Sequence, residues 1–127
     1  MNIYESAEDY LESMLVLRKS KGYIKSIDIA KDLGVTKPSV SYAVKNLKEN
    51  GYITMEKSGE IFLTPQGEAI AAKTLEKHCY ICSFLKSLGV PGETAHKDAC
   101  KIEHNVSEET FGAIKKYVSE NEIAIEG

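Results

Sequence analysis

Residues 26–51 read SIDIAKDLGVTKPSVSYAVKNLKENG, and the spacing within them decides the fold. Ile27, Ile29, Ala30 and Leu33 follow at helical intervals behind Ser26, a residue suited to capping, and Gly34 ends the run. Val35 leads into Thr36, the expected cap of a second helix with Pro38 in its first turn, where a missing N–H costs nothing. That helix continues through Val40, Ala43, Val44 and Leu47 to Asn50 and Gly51, leaving Lys37, Ser39, Ser41, Tyr42, Lys45 and Lys48 on its exposed side. A tight turn between two helices, the second lined with short polar and basic side chains, suits the major groove of DNA, where base edges and phosphates lie within reach.

Working outward, the period changes after Gly51 from helical to alternating. Residues 52–56 and 60–63 read as two strands around Lys57-Ser58-Gly59, a turn with a basic tip, which makes the whole a winged helix-turn-helix. Upstream, Ala7, Leu11, Met14 and Leu15 define a helix from about Ser6 to Lys19, with Gly22 beyond it. Glu5, Asp9 and Glu12 share its other face, where carboxylates near a helix start are commonplace. The expected DNA contacts are Ser26, Thr36, Lys37, Pro38, Ser39, Ser41, Tyr42, Lys45, Lys48 and Lys57.

Charge supports this division. The formal net charge is −3, but residues 1–64 are neutral, with 9 basic and 9 acidic side chains, whereas residues 65–127 hold 7 and 10. Between Thr36 and Lys48 there are three lysines and no acid, and a phosphate-facing surface depends on that local balance. No apolar run approaches the ~18 residues of a membrane span, and the acidic start MNIYESAEDY is unlike a signal peptide, so a soluble cytoplasmic protein is expected. Three cysteines, an odd number, argue against a disulfide framework.

From Pro65 onward the pattern is helical. A long segment from Gln66 to about Leu88 carries Ile70, Ala71, Leu75, Ile81, Phe84, Leu85 and Leu88, and could serve as a spacer or dimer arm. Gly89-Val-Pro-Gly92 breaks the chain, and Ser107 starts a last helix with Phe111, Ile114 and Val118 that runs to about Asn121. Every histidine and cysteine lies between residues 78 and 104: His78, Cys79, Cys82, His96, Cys100 and His104. At about 100° per residue, His96, Cys100, Glu103 and His104 share one third of a helix, with Ala95, Ala99, Ile102 and Val106 opposite. Taken alone, such a polar face is more often solvated surface than a ligand set, and the same holds for His78 and Cys82 at i and i+4. The expected architecture is mainly α with a small β-hairpin wing: a DNA-binding domain at 1–64 and a helical domain at 65–127 whose exposed apolar faces favour a homodimer.

In order and spacing, these segments resemble the diphtheria toxin repressor and manganese transport regulator (DtxR/MntR) family of metal-dependent transcriptional repressors. The resemblance covers nearly the whole chain. It is carried by Ala7-Glu8-Asp9-Tyr10-Leu11-Glu12, Ile29 to Val35 with Pro38-Ser39-Val40, Leu63-Thr64-Pro65-Gln66-Gly67, His78, and Cys100-Lys101-Ile102-Glu103-His104. It implies an Fe(II)- or Mn(II)-activated repressor of metal-homeostasis genes, dimeric on a palindromic operator, with Asp9, Glu12, His78, Cys100, Glu103 and His104 at a metal that bridges the two domains. Co(II), Ni(II), Zn(II) and Cd(II) are expected to bind in vitro.

The chain mixes two branches of that family. Manganese-responsive members resemble it at Asp9 but have glutamate at the position of Cys100, while iron-responsive members have the cysteine and a methionine in place of Asp9. A carboxylate at Asp9 suits manganese; a Cys100 thiolate favours iron, cobalt, nickel or zinc, unless Cys100 binds through its backbone carbonyl. His96 matches an ancillary-site histidine of the iron branch, with Cys82 where that branch has glutamate. The SH3-like third domain completing that site is absent from the sequence, so an intact second site of the iron type is not expected.

Two other readings keep parts of this pattern. Cys79, Cys82 and Cys100 could form a redox switch on the same DNA-binding module. A small metallohydrolase would use Glu103 or Glu12 as general base, but nothing in the sequence marks an open coordination position or a substrate cleft. The expectation is therefore a regulator and not an enzyme, with no small-molecule substrate and no membrane association.

Overall fold

The computed structural model describes residues 5–125. Its elements in chain order are α1 Glu5–Lys21, α2 Ser26–Leu33, α3 Lys37–Glu49, β1 Ile53–Met55, β2 Ile61–Leu63, α4 Pro65–Ser87, α5 Gly92–Ile102 and α6 Glu108–Glu120. The chain divides into two compact units, residues 1–72 and 73–127, and the division falls inside α4. Among the described residues no helix is long and apolar enough to cross a membrane.

In the first unit Leu11 and Met14 of α1, Ile29 of α2, Val40 of α3 and the strand residues Ile53 and Ile61 are almost wholly buried. These are the positions that helical and alternating periodicity pick out, because each element can bury only one stripe or one face. Gly34 ends α2 at φ +66°, a left-handed conformation that costs glycine little, and Val35 N–H donates to the Ala30 carbonyl to close the turn. Thr36 caps α3 by accepting from the Ser39 N–H at 3.3 Å. Ser26 does not cap α2: the cap position is Lys25, which makes no side-chain capping bond, and Ser26 is already the first helical residue.

The strands are shorter than their alternation predicts, three residues each. They pair antiparallel with Thr54 opposite Phe62. Beyond Met55 the chain turns through residues 56–60, where Gly59 N–H donates to the Glu56 carbonyl and Glu56 N–H to that of Glu60. Ile61 N–H donates instead to the Ile24 carbonyl in the α1–α2 connection, which ties the hairpin to the helices. The start of α4 is keyed to the same place. Thr64 donates through its hydroxyl to the Gly51 carbonyl at 2.7 Å, and Gly67 passes so near the residue before β1 that a Cβ there would lie 2.0 Å from the Tyr52 carbonyl oxygen.

The second unit packs Ile81 and Cys82 of α4, Ala95 and Ala99 of α5 and Phe111 of α6 into one apolar cluster, with Leu85, Val90, Val106 and Ile114 partly buried against it. Ser107 caps α6 by accepting from the Thr110 N–H at 3.1 Å. One expectation for this region fails. The buried stripe of α5 runs through Ala95, Ala99 and Glu103, while Ile102 is 36% exposed. The helix ends at Ile102, so its inward face is followed by a carboxylate instead of an apolar side chain.

Candidate metal centre and DNA-facing helix

His78 sits near the middle of α4 and is buried, as is Glu103 at the end of α5. Successive turns of α4 bring Thr74, His78 and Cys82 inward together, and the Ala95–Ala99 stripe, continued by one more turn, brings in Glu103. Ala95 and Ala99 have side chains small enough for α5 to approach closely, so residues far apart in sequence meet. His78 Nδ1 lies 3.7 Å from Cys100 Sγ and 3.5 Å from Glu103 Oε1. On the other side of the ring, Nε2 lies 2.9 Å from His96 Nδ1, with the two imidazoles edge to face. His104, just beyond α5, brings Nε2 to 3.9 Å from Glu103 Oε1.

The electrostatics follow from this geometry. Cys100 and Glu103, both on the Nδ1 side, push His78 up to about 10 against the opposing pull of burial. An imidazolium at His78 donates from both nitrogens, toward Cys100 and Glu103 on one side and His96 on the other. The proton thereby supplies a positive charge beside a buried carboxylate, a task a divalent cation performs with greater charge.

Among the described residues of the second unit, two donor triads satisfy the spacing a metal ion needs. His78, Cys100 and Glu103 each offer an atom within 4.8 Å of the others, and so do His78, Cys82 and His96. The first set, one thiol, one carboxylate and one imidazole, suits a first-row transition metal of intermediate softness. Cys82 and His96 do not form a pair apart from His78, as the sequence suggested; His78 belongs to both sets. That sharing escapes a linear reading because the two histidines occupy different helices. The available signal was the i, i+4 pair His78 and Cys82, placed beside the core residue Ile81. Asp9 and Glu12, half-buried on α1, belong to the first unit.

In that first unit α3 presents its expected face. Lys37, Pro38, Ser39, Ser41, Tyr42, Lys45 and Lys48 are exposed, Tyr42 at 71%, while Val40, Val44 and Leu47 point inward. Thr36 is exposed but its hydroxyl is engaged in the cap and also donates to Ser39 Oγ at 2.9 Å. Lys57 is exposed at the hairpin tip, and Ser26 is half-buried.

Comparison with known proteins gives two adjoining matches. The N-terminal DNA binding domain of iron dependent repressors matches residues 2–61, and the metal binding and dimerisation domain of the same repressors matches residues 64–124. The chain is 37% identical over 117 residues to the transcriptional regulator MntR of Salmonella typhimurium, covering 92% of this chain and 74% of that one. Among solved structures it is similar to IdeR of T. acidophilum, with a TM-score of 0.78 at 28% identity over 98% of this chain. It is likewise similar to the manganese regulator SloR, with a TM-score of 0.80 at 28% identity over 94% of this chain. It spans 57% and 55% of the lengths of those two proteins.

Proposed function

The chain belongs to the iron dependent repressor family, and from that membership we propose that it is a homodimeric transcriptional repressor whose binding to DNA is activated by Fe(II) or Mn(II). The observation that carries the reading is the convergence of His78, Cys100 and Glu103 inside the segment that matches the family's metal binding and dimerisation domain. A buried carboxylate beside a half-buried thiol and one imidazole is costly unless a cation joins it, and here a proton or a metal can. His104 extends the donor set from the end of α5, and Asp9 and Glu12 of the DNA-binding unit complete it in this proposal. A ligand set drawn from both units makes the DNA-binding unit respond to metal.

The DNA side follows from α3. Lys37, Lys45 and Lys48 supply phosphate contacts, Ser39, Ser41 and Tyr42 face the groove, and Lys57 adds a contact from the wing. Ser26, Thr36 and Pro38 stand at the helix starts, where backbone N–H groups favour phosphate. A dimer would place two such helices about 34 Å apart on a palindromic operator of metal-homeostasis genes. In relatives the manganese label is prominent, as in the Salmonella regulator and SloR, and Asp9 agrees with it; Cys100 keeps iron in play.

Mobility-shift titrations at one fixed salt concentration test the proposal. Affinity for operator DNA is expected to rise with Mn(II) or Fe(II) and to fall on chelation. Equal affinity in chelator and in saturating metal would overturn it.

A further inference from the structure

The outer face of α3 is divided lengthwise. At about 100° per residue, with the buried Val40 taken as zero, Lys37, Lys48 and Lys45 stand at about 60°, 80° and 140° around the helix axis. Ser39 and Asn46 stand on the opposite flank, at about 260° and 240°. All three lysines therefore share one flank, which a helix lying in a groove turns toward one phosphate strand. Between the two flanks, at about 200° and nearly opposite the buried stripe of Val40 and Val44, stands Tyr42. Pro38, one turn earlier at about 160°, widens the apolar strip beside it.

Tyr42 is 71% exposed, the most exposed of the large apolar side chains among the described residues. It is the sixth residue of α3, within the N-terminal half that meets base edges when a helix of this kind enters the major groove. Its two ends differ in what they can recognise. The hydroxyl both donates and accepts, so it can bond to an edge of any base pair and distinguishes none strongly. The ring is broad, apolar and governed by only two side-chain torsions, so holding it in one place costs little entropy. Base pairs present one apolar group in the major groove, the 5-methyl of thymine. The neighbouring Ser39 and Ser41 are too short and polar to cover it, and the lysines are drawn to phosphate.

We propose that the ring of Tyr42 packs on the 5-methyl group of a thymine in each half-site and so determines which sequence α3 selects. The lysine flank sets affinity through charge, and Tyr42 sets register through shape. The inference rests on the repressor reading and deepens it by naming the base.

The test begins with selection from a library of random-sequence duplexes by the full-length protein in Mn(II) or Fe(II) at one fixed salt concentration. Each thymine of the enriched site is then replaced in turn by deoxyuridine, which lacks only the methyl group. At one position in each half-site this change is expected to weaken binding about fourfold, the effect of removing one buried methyl from contact. Y42A should bind the thymine and deoxyuridine duplexes equally, whereas Y42F, which keeps the ring, should retain the difference. Tyr42 is exposed, so both variants are expected to fold. Deoxyuridine tolerated at every position would overturn the proposal, as would a methyl effect that survives in Y42A or vanishes in Y42F. A library that yields no enriched sequence in either metal would overturn the repressor reading and this inference with it; an enriched site indifferent to deoxyuridine overturns this inference alone.

Discussion

In the proposed function, a single proton on His78 links metal uptake to pH. In the metal-free protein its pKa is raised from 6.5 to about 10, first by Cys100 and then by Glu103, so its charged form stabilises the fold. That contribution is fully present below about pH 6.5 and is lost as pH rises through about 10. Melts of chelated protein across this window should show stability falling with pH, and H78Q should flatten the slope. Metal must displace the same proton, so binding at pH 7 in weak buffers should release it, by calorimetry in buffers of different ionisation enthalpy; a buffer-independent heat would contradict the assignment. Two glycines make predictions of opposite sign. A Cβ at Gly67 meets the Tyr52 carbonyl, which also accepts from Thr64 N–H, so G67A should cost about 3 kcal/mol or more. Gly112, inside α6 with open space around it, should tolerate alanine and gain roughly 0.5–1 kcal/mol, both read from urea denaturation.

In the proposed function, the element α3 determines how tightly DNA is held. Lys45 is exposed on it, away from the buried Val44 and Leu47, so K45A should weaken all DNA sequences alike and reduce the salt slope of binding by about 1. A sequence-selective loss with unchanged slope would mean that Lys45 reads bases. At this scale most of the fold was legible beforehand, because helices and strands that bury one face announce it by period. Gly34, Thr36 and Ser107 act as punctuation in the structure as they do on paper. Ser26 did not, because several N-terminal conformations suit serine and the choice of Lys25 as cap depends on how the chain leaves α1. The α5 stripe was misread for a different reason. Polarity normally marks the outside of a helix, but Glu103 faces inward toward His78, and only packing between α4 and α5 reveals that. That His78 belongs to both donor triads was illegible for the same cause.

At the scale of the whole molecule, the proposed ligand set predicts which parts metal stabilises. Binding to the folded state alone adds about 2.7 kcal/mol at a hundredfold excess over the dissociation constant. If Asp9 and Glu12 donate, amide exchange should slow in both units when Mn(II) is added. Protection confined to residues 73–125 would show that α1 contributes no ligand. The close passage of α4 over Tyr52 has a consequence in genetics. Every single-base change in a glycine codon that alters the residue introduces a Cβ or a stop, so Gly67 has no mild missense neighbour at a position with no room for that carbon. Selections for derepressed alleles should therefore recover codon 67 repeatedly, although Gly67 lies outside the proposed DNA-facing and metal-ligating residues, and such alleles will mark a steric bottleneck and not a ligand site.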